Sequence, residues 1–358
     1  MKRRSFLAGG AAAAASSVVE RLAQSQSIHG STARRPWNLL GPSSRYVIRL
    51  SGSAVIGDCY RPASDVGGDT SGQPPTEPAM ILHGSERQPV SWRLAVWHQP
   101  NPLALMIALS AVEVPLEAEL WFEIDASSGL LRRNMVVHHR GSGPDVDIAA
   151  TLAFWYGIHE PIDEVRCLAG AWAQETQVRH SDGATPLVLE SRAGKTGFAF
   201  QPYVALSNKN STYLCQIFWS GNWALQVEPG PDGAAVSGGL NNWQFHCRLT
   251  AGGNNALRLP TVLFGRFDGD LNAATHRLHD YRRKRRPDPE RAIPVQFNSW
   301  YPYLGEPTAT AMLALVPLAK RLGCEAFVVD AGWFRTDEGD SAADWTARTG
   351  DWHTSRLR

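Results

Sequence analysis

Val295-Gln296-Phe297-Asn298-Ser299-Trp300-Tyr301-Pro302-Tyr303 and Phe327-Val328-Val329-Asp330-Ala331-Gly332-Trp333-Phe334 are the two stretches that decide the fold of the chain's last part. Val295–Ser299 and Glu325–Val329 are short and mostly apolar, and read as strands. Between them, Thr308–Leu322 puts Met312, Leu315, Val316 and Ala319 on one helical face and stops at Gly323. Pro317 within it predicts a kink or a shorter helix. A β-helix-β unit this short is a parallel pair covered by its crossover helix. Each strand ends in polar or aromatic residues. That is how a (β/α)8 barrel opens, with its active site at the strands' carboxyl ends. A whole barrel takes about 250 residues, whereas residues 291–358 supply 68. The expectation is therefore a truncated barrel in 292–358, holding its first two β/α units, with an unpaired parallel edge at Phe327–Asp330.

Upstream, short apolar or alternating runs are punctuated by Gly, Pro, Asn and Asp. Tyr46–Leu50, Trp92–Trp97, Leu103–Leu109, Leu131–His138, Val146–Trp155, Gly197–Leu206, Tyr213–Trp219 and Trp243–Leu249 are examples. Period 2 with frequent turn residues predicts a mainly β N-terminal domain over 30–270, a large antiparallel β-sandwich. Gly67–Pro75 reads as a surface loop. Residues 271–291 change character: Leu271, Thr275, Leu278 and Tyr281 fall at helical spacing, giving a helical linker that ends in Arg282-Arg283-Lys284-Arg285-Arg286-Pro287. Cations suit a helix C-terminus and a solvated connection, and Pro287 stops the helix, so the run carries no nucleic-acid reading.

The first residues, Lys2-Arg3-Arg4-Ser5-Phe6-Leu7 and an Ala/Gly-rich core, form a signal peptide over 1–25. Adjacent arginines before Phe-Leu resemble the twin-arginine export signal, which predicts a periplasmic or secreted protein. The core is too weakly apolar for a permanent membrane span, so no membrane partner is expected after export.

A net charge of +1 gives no reason to expect nucleic acid. Thirteen Trp fit either sugar stacking or a β-core. The five cysteines (59, 167, 215, 247, 324) show no zinc spacing. They read as scattered thiols, with one or two disulfides open in an exported chain. His138-His139 read as cross-strand surface residues without a third metal ligand, and Asp337, Glu338, Asp340 and Asp344 as a solvated acidic loop.

Several of these stretches together resemble glycoside hydrolase family 36, the retaining α-galactosidases. Asn298-Ser299-Trp300 is similar to the family's first strand end, and Phe327–Phe334 to its Phe-Val-x-Asp-Asp-Gly-Trp-Phe element. Gly350-Asp351-Trp352 looks like its Gly-Asp-Trp element. In the β-domain, Trp219-Ser220-Gly221-Asn222 with Val227-Glu228, and Gly170-Ala171-Trp172 with Glu175, resemble two further elements. The resemblance implies an α-galactoside oligosaccharide as partner, no cofactor, and assembly into a homo-oligomer through the β-domain. It also implies a substrate-binding set: Trp300, Asp330, Trp333, Asp351 and Trp352. Ala331 departs from the family's second aspartate and removes a hydroxyl acceptor.

A retaining mechanism needs a nucleophilic carboxylate and an acid/base carboxylate about 5–5.5 Å apart. The resemblance places the nucleophile in a Lys-x-Asp motif, and none of the lysines (2, 195, 209, 284, 320) has Asp two residues later. No catalytic residue carries over, and the expectation is no hydrolysis by these 358 residues alone. Blander roles stand beside these: a helix N-cap for Asp330, a core position for Trp333 and Trp352, and a loop-orienting role for Asp351. The rival functions are a non-catalytic carbohydrate-binding or interaction sandwich, and an α-N-acetylgalactosaminidase or galactosyl-transferring relative, which Ala331 keeps open.

Overall fold

The computed structural model describes residues 37–42, 44–51, 54–62, 76–77, 79–82, 88–286, 293–304 and 307–333. The export signal, the Gly67–Pro75 loop, the acidic loop after Phe334, Asp351 and Trp352 lie outside them. The chain divides into two compact units, Met1–Arg285 and Arg286–Arg358.

The first unit is built from two large sheets. One holds eight strands, running in the order Trp37–Leu40, Ser44–Ser51, Ala54–Pro62, Phe154–Ile158, Gly233–Leu240, Trp223–Gly230, Leu187–Ser191, with Thr76–Glu77 on Ala54–Pro62. The other holds ten: Gln177–Asp182, Glu164–Ala169, Phe200–Ser207, Ser211–Phe218, Thr261–Asp268, Leu131–His139, Leu116–Ile124, Ala104–Ala111, Trp92–Asn101, with Ala256–Arg258 beside Leu131–His139. Pairing within both is antiparallel, except between Phe154–Ile158 and Ala54–Pro62. Tyr46 and Tyr156 from the first sheet meet Phe122 and Phe264 from the second; the Tyr156 and Phe264 rings lie 4.3 Å apart. Leu39, Ile48, Leu105, Ile107, Leu109 and Trp223 extend the same buried core.

Alternation explains which residues face it. Along Leu131–His139 every second residue is buried, including Arg133, whose guanidinium stands over Phe122 at 5.3 Å. His139, read as a surface residue, is buried: its Nδ1 accepts from the Gly141 amide at 3.1 Å and its Nε2 meets the Pro144 carbonyl at 2.9 Å. It locks the turn that follows its strand. Its neighbour His138 faces Glu119 at 3.3 Å.

The predicted Val146–Trp155 strand is two strands. Val146–Leu152 pairs with Ala79–Leu82 and Cys247–Leu249 in a small third sheet, and Phe154–Ile158 enters the eight-stranded one. Gly233–Leu240 escaped the sequence reading because it is nearly all small residues. Close approach demands them: a Cβ on Gly238 would stand 2.3 Å from the Ala224 carbonyl oxygen.

Helix α1, Leu271–Lys284, starts at Asp270, whose side chain accepts from the Ala273 amide at 3.0 Å. Ala274, Leu278 and Tyr281 are buried against Leu130, Ala205, Leu214, Leu263 and Phe267. These are the outward-facing residues of strands whose Val204, Leu206, Tyr213, Cys215 and Phe264 face the main core. The sheet is thus covered on both faces here, which is why Tyr213–Trp219 reads as a continuous apolar run. Burying Leu278 contributes roughly 2 kcal/mol. The basic end of α1 is expected to be solvated; Lys284 and Arg285 instead hold the turn at Asp125 and Ser127.

The second unit shows a parallel pair, Gln296–Asn298 with Ala326–Val328, in register Gln296↔Ala326, Phe297↔Phe327, Asn298↔Val328. The Phe297 and Phe327 rings stack 5.2 Å apart. Between the strands lie α2, Trp300–Tyr303, and α3, Ala309–Arg321. Thr308 caps α3 by accepting from the Ala311 amide at 3.3 Å. The helix runs through Pro317 without ending there, and of the predicted apolar face only Met312 and Ala319 are buried. Leu313, Val316, Leu318 and Leu322 are exposed.

Cys167, Cys215, Cys247 and Cys324 are free thiols. Burial pushes the Cys215 thiol well above its ordinary value.

Candidate substrate site

The parallel register puts Asn298 and Val328 side by side, so both strands end on the same edge. Parallel alignment is what brings chemistry-bearing residues from separate strands to one rim. Asp330 follows Val328 by two residues. Its Oδ2 accepts from Asn298 Nδ2 at 2.7 Å, and its Oδ1 accepts from the Ala331 amide at 2.7 Å. Its own amide donates to Ser299 Oγ at 3.0 Å. Ser299 is buried, and its amide donates to the Val328 carbonyl at 3.0 Å. Three side chains from the two strand ends thus brace one another across the rim.

The same network starts α2. Asn298 Oδ1 accepts from the Trp300 amide at 2.7 Å, so one carboxamide orients both Asp330 and the backbone that carries Trp300. Leu304 ends α2 with φ 40°, its amide donating to the Trp300 carbonyl at 2.6 Å. Beyond Asp330 the chain turns through Ala331–Trp333, with Gly332 at φ 100°, a conformation that suits glycine. No helix among the described residues starts at Asp330, so an N-cap role has no support there.

Asp330, Trp300 and Trp333 are half-buried. Among the described residues each Asp330 oxygen has one donor and keeps further acceptor capacity, so the carboxylate is oriented yet still able to take hydroxyl donors. Asn298 and Ser299, which the family resemblance does not place in the substrate-binding set, are the residues that brace it. The signal for them was a pair of small polar side chains at the end of an apolar strand.

Among the described residues no group of three or more His, Cys, Asp or Glu is arranged to hold a metal. No helix among them is long and apolar enough to cross a membrane.

In the first unit, the Trp219–Asn222 turn is pinned by Thr196. Its Oγ1 donates to the Trp219 carbonyl at 2.7 Å, and its carbonyl accepts from Trp223 Nε1 at 2.7 Å. The Gly170–Glu175 element is a turn containing Ala173 at φ 58°, followed by Thr176 at φ 61°; Trp172 stands almost fully exposed on it.

Comparison with known proteins agrees with this layout. Residues 86–250 match the Glycosyl hydrolase family 36 N-terminal domain, and residues 257–357 match Melibiase. Alpha-galactosidase Mel36A of Lactobacillus acidophilus is 28% identical over 254 residues, covering 67% of this chain and 34% of that protein. An Escherichia coli alpha-galactosidase is 26% identical over 297 residues, covering 77% and 39%. The chain therefore spans between a third and two fifths of these relatives' length. Among solved structures, the α-galactosidase AgaB of Geobacillus stearothermophilus superposes with a TM-score of 0.73 at 20% identity, covering 92% of this chain and 53% of that one. A variant of AgaA from the same organism, solved in complex with stachyose, has a TM-score of 0.71 at 20% identity, covering 90% and 53%. These structural likenesses show the fold.

Proposed function

This chain belongs to glycoside hydrolase family 36, of which it carries the N-terminal part, and from that premise we propose that it forms the galactoside-holding front of a retaining α-galactosidase. The observation that carries the reading is the Asn298–Asp330 bond, which presents an oriented carboxylate at the carboxyl edge of two parallel strands. An ionised carboxylate so held is a strong acceptor for sugar hydroxyls, and Trp300 and Trp333 supply flanking aromatic walls. Asp351 and Trp352 complete the proposed set from outside the described residues.

The two carboxylates of the retaining reaction are not among these positions. Hydrolysis requires chain beyond the 358 residues, which by themselves bind galactose and do not release it from glycosides. A two-stranded parallel sheet is rare on its own, since such sheets are normally covered and extended on both sides. The exposed Leu313, Leu318 and Leu322 on α3 support a larger assembly of β/α units in the active enzyme. The basic, Ala/Gly-rich first 25 residues support export before function.

The test is direct. The 358-residue chain is incubated with a chromogenic α-galactoside, and galactose binding is measured by calorimetry with and without Asp330→Ala. The expected result is no release, and millimolar binding that Asp330→Ala abolishes. Turnover by this chain, or galactose binding indifferent to Asp330, would refute the reading.

A further inference from the structure

The sandwich unit has a concave surface of its own. A cavity of about 610 Å³ opens between the Phe200–Ser207 and Ser211–Phe218 strands, the Trp219–Asn222 turn and the end of α1. That volume lies within the range of small-ligand sites. Its functional lining is Gln201, Gln216, Phe218, Trp219, Ser220 and Arg282.

Unmet hydrogen-bonding capacity sets it apart from an ordinary crevice. Gln216 Oε1 is shielded from solvent and has no partner among the described residues. Beside it stand the half-buried Gln201 and Trp219 and the exposed Ser220 and Arg282, whose polar groups are open to solvent or to a ligand. A buried acceptor is normally satisfied, so the orphaned Gln216 Oε1, at a cavity lined by further polar side chains, points to a polar occupant.

The walls are also held rigidly. Thr196 Oγ1 donates to the Trp219 carbonyl and accepts from the Gly221 amide at 3.3 Å, while Asn222 Oδ1 accepts from the Gly194 amide at 2.7 Å. Gly221 takes φ 140°, which lets the turn close. Gly197 leaves room for the Gln201 amide, whose Nε2 would stand 2.7 Å from a Cβ at that position. Arg282 stands over the Phe218 ring at 5.3 Å and fixes the cavity's rim.

We propose that this cavity is a second saccharide site, binding one neutral hexose unit of an oligosaccharide. Carboxamides donate and accept at once, as sugar hydroxyls do, so Gln201 and Gln216 match a pair of neighbouring hydroxyls. The Trp219 indole offers an apolar surface with an N–H beside it, the combination that suits a sugar ring. A phosphate or carboxylate ligand would call for a cluster of cations or a helix N-terminus. Among the described lining residues Arg282 is the single cation, and one face of it is occupied by Phe218. The site owes nothing to Asp330, so it stands or falls apart from the function proposed above.

The experiment titrates the 358-residue chain with stachyose and, as an anionic comparison, galacturonate, by calorimetry and by saturation-transfer NMR. Gln201→Ala truncates a half-buried polar side chain and is the main variant; Trp219→Phe keeps an aromatic ring and removes the indole N–H. Asp330→Ala reports the other site, and thermal melting checks the fold of each variant. The expected result is a stachyose-binding phase that persists in Asp330→Ala and weakens about threefold to tenfold in Gln201→Ala, the worth of one hydrogen bond. Three results would overturn the proposal: binding that Asp330→Ala removes entirely, binding unchanged in both cavity variants, or tighter binding of galacturonate than of stachyose.

Discussion

Arg285 donates to the Asp125 carboxylate at 2.9 Å while its guanidinium stacks 4.1 Å from the centre of the Tyr281 ring. The pair joins the last turn of α1 to the hairpin turn after Leu116–Ile124. Asp125 also accepts from the Ser127 hydroxyl at 2.6 Å and from the Ser128 amide and hydroxyl, each at 2.8 Å. Lys284 Nζ reaches Ser127 Oγ at 2.6 Å. The basic run therefore works as a clamp at the very place where helix geometry favours cations.

Partial burial of Asp125 pushes its pKa up, but the Ser127, Arg285 and Ser128 hydrogen bonds outweigh it and hold the carboxyl well below its ordinary value. A depressed folded-state value means a stability contribution that is present above the unfolded pKa of about 3.9 and lost as pH falls below it. Asp125→Ala is expected to cost about 1–2 kcal/mol at pH 7, and the gap between variant and unmodified chain should shrink as pH is lowered from 5 towards 2. Urea unfolding at several pH values measures this; a pH-independent gap would contradict it.

Glu160 and Arg266 form a tighter pair. Arg266 meets Glu160 Oε1 through Nε at 3.1 Å and a terminal nitrogen at 3.0 Å, and the Ser211 hydroxyl donates to Oε2 at 2.6 Å. Burial alone raises the Glu160 pKa, yet Ser211 and Arg266 together bring it below the ordinary value. Glu160→Ala removes the carboxylate that two nitrogens of the buried Arg266 meet, keeps the Asp268 contact, and is expected to cost about 3 kcal/mol. Glu160→Gln, which keeps the Ser211 contact, should cost less. Denaturant midpoints compare the two.

Asn298→Ala tests how the Asp330 carboxylate is oriented. Loss of the 2.7 Å bond frees the carboxylate and releases the Trp300 amide, so galactose affinity should fall about tenfold while unfolding shifts by less than about 1 kcal/mol. Titration calorimetry beside a thermal melt separates the two effects; equal loss of stability and affinity would make Asn298 a structural residue only.

Ala331→Asp restores a second acceptor beside Asp330. It should strengthen binding of galactose relative to its 4-deoxy analogue by about tenfold or more, because a site with a dedicated hydroxyl partner penalises the ligand lacking it. Competition binding with the two sugars gives the ratio. An unchanged ratio would show that position 331 does not face the sugar.

The barrel-like opening was legible because its signals are local. Two apolar runs, an amphipathic helix between them, and Asn298, Trp300 and Asp330 at the strand ends are all read from neighbours a few positions apart. The sandwich was legible as a class for the same reason. Its strand partners were not. Val146–Trp155 has one continuous period, yet the chain changes sheet at Ala153, whose amide donates to the Gly238 carbonyl at 2.8 Å. Periodicity reports which face a residue takes and says nothing of which strand lies beside it.

Residue order alone thus carried the fold class of each part, most of its element types and the kinship of the chain. Tertiary structure decided which of them meet. The Asn298–Asp330 bond exists only because parallel pairing brings positions 32 residues apart to one edge, and the Asp125–Arg285 clamp joins positions 160 apart. Contacts at such separations are fixed by sheet register and by a helix docking on a buried face. Both follow from how apolar surfaces pack throughout a unit, a property no short window of sequence contains.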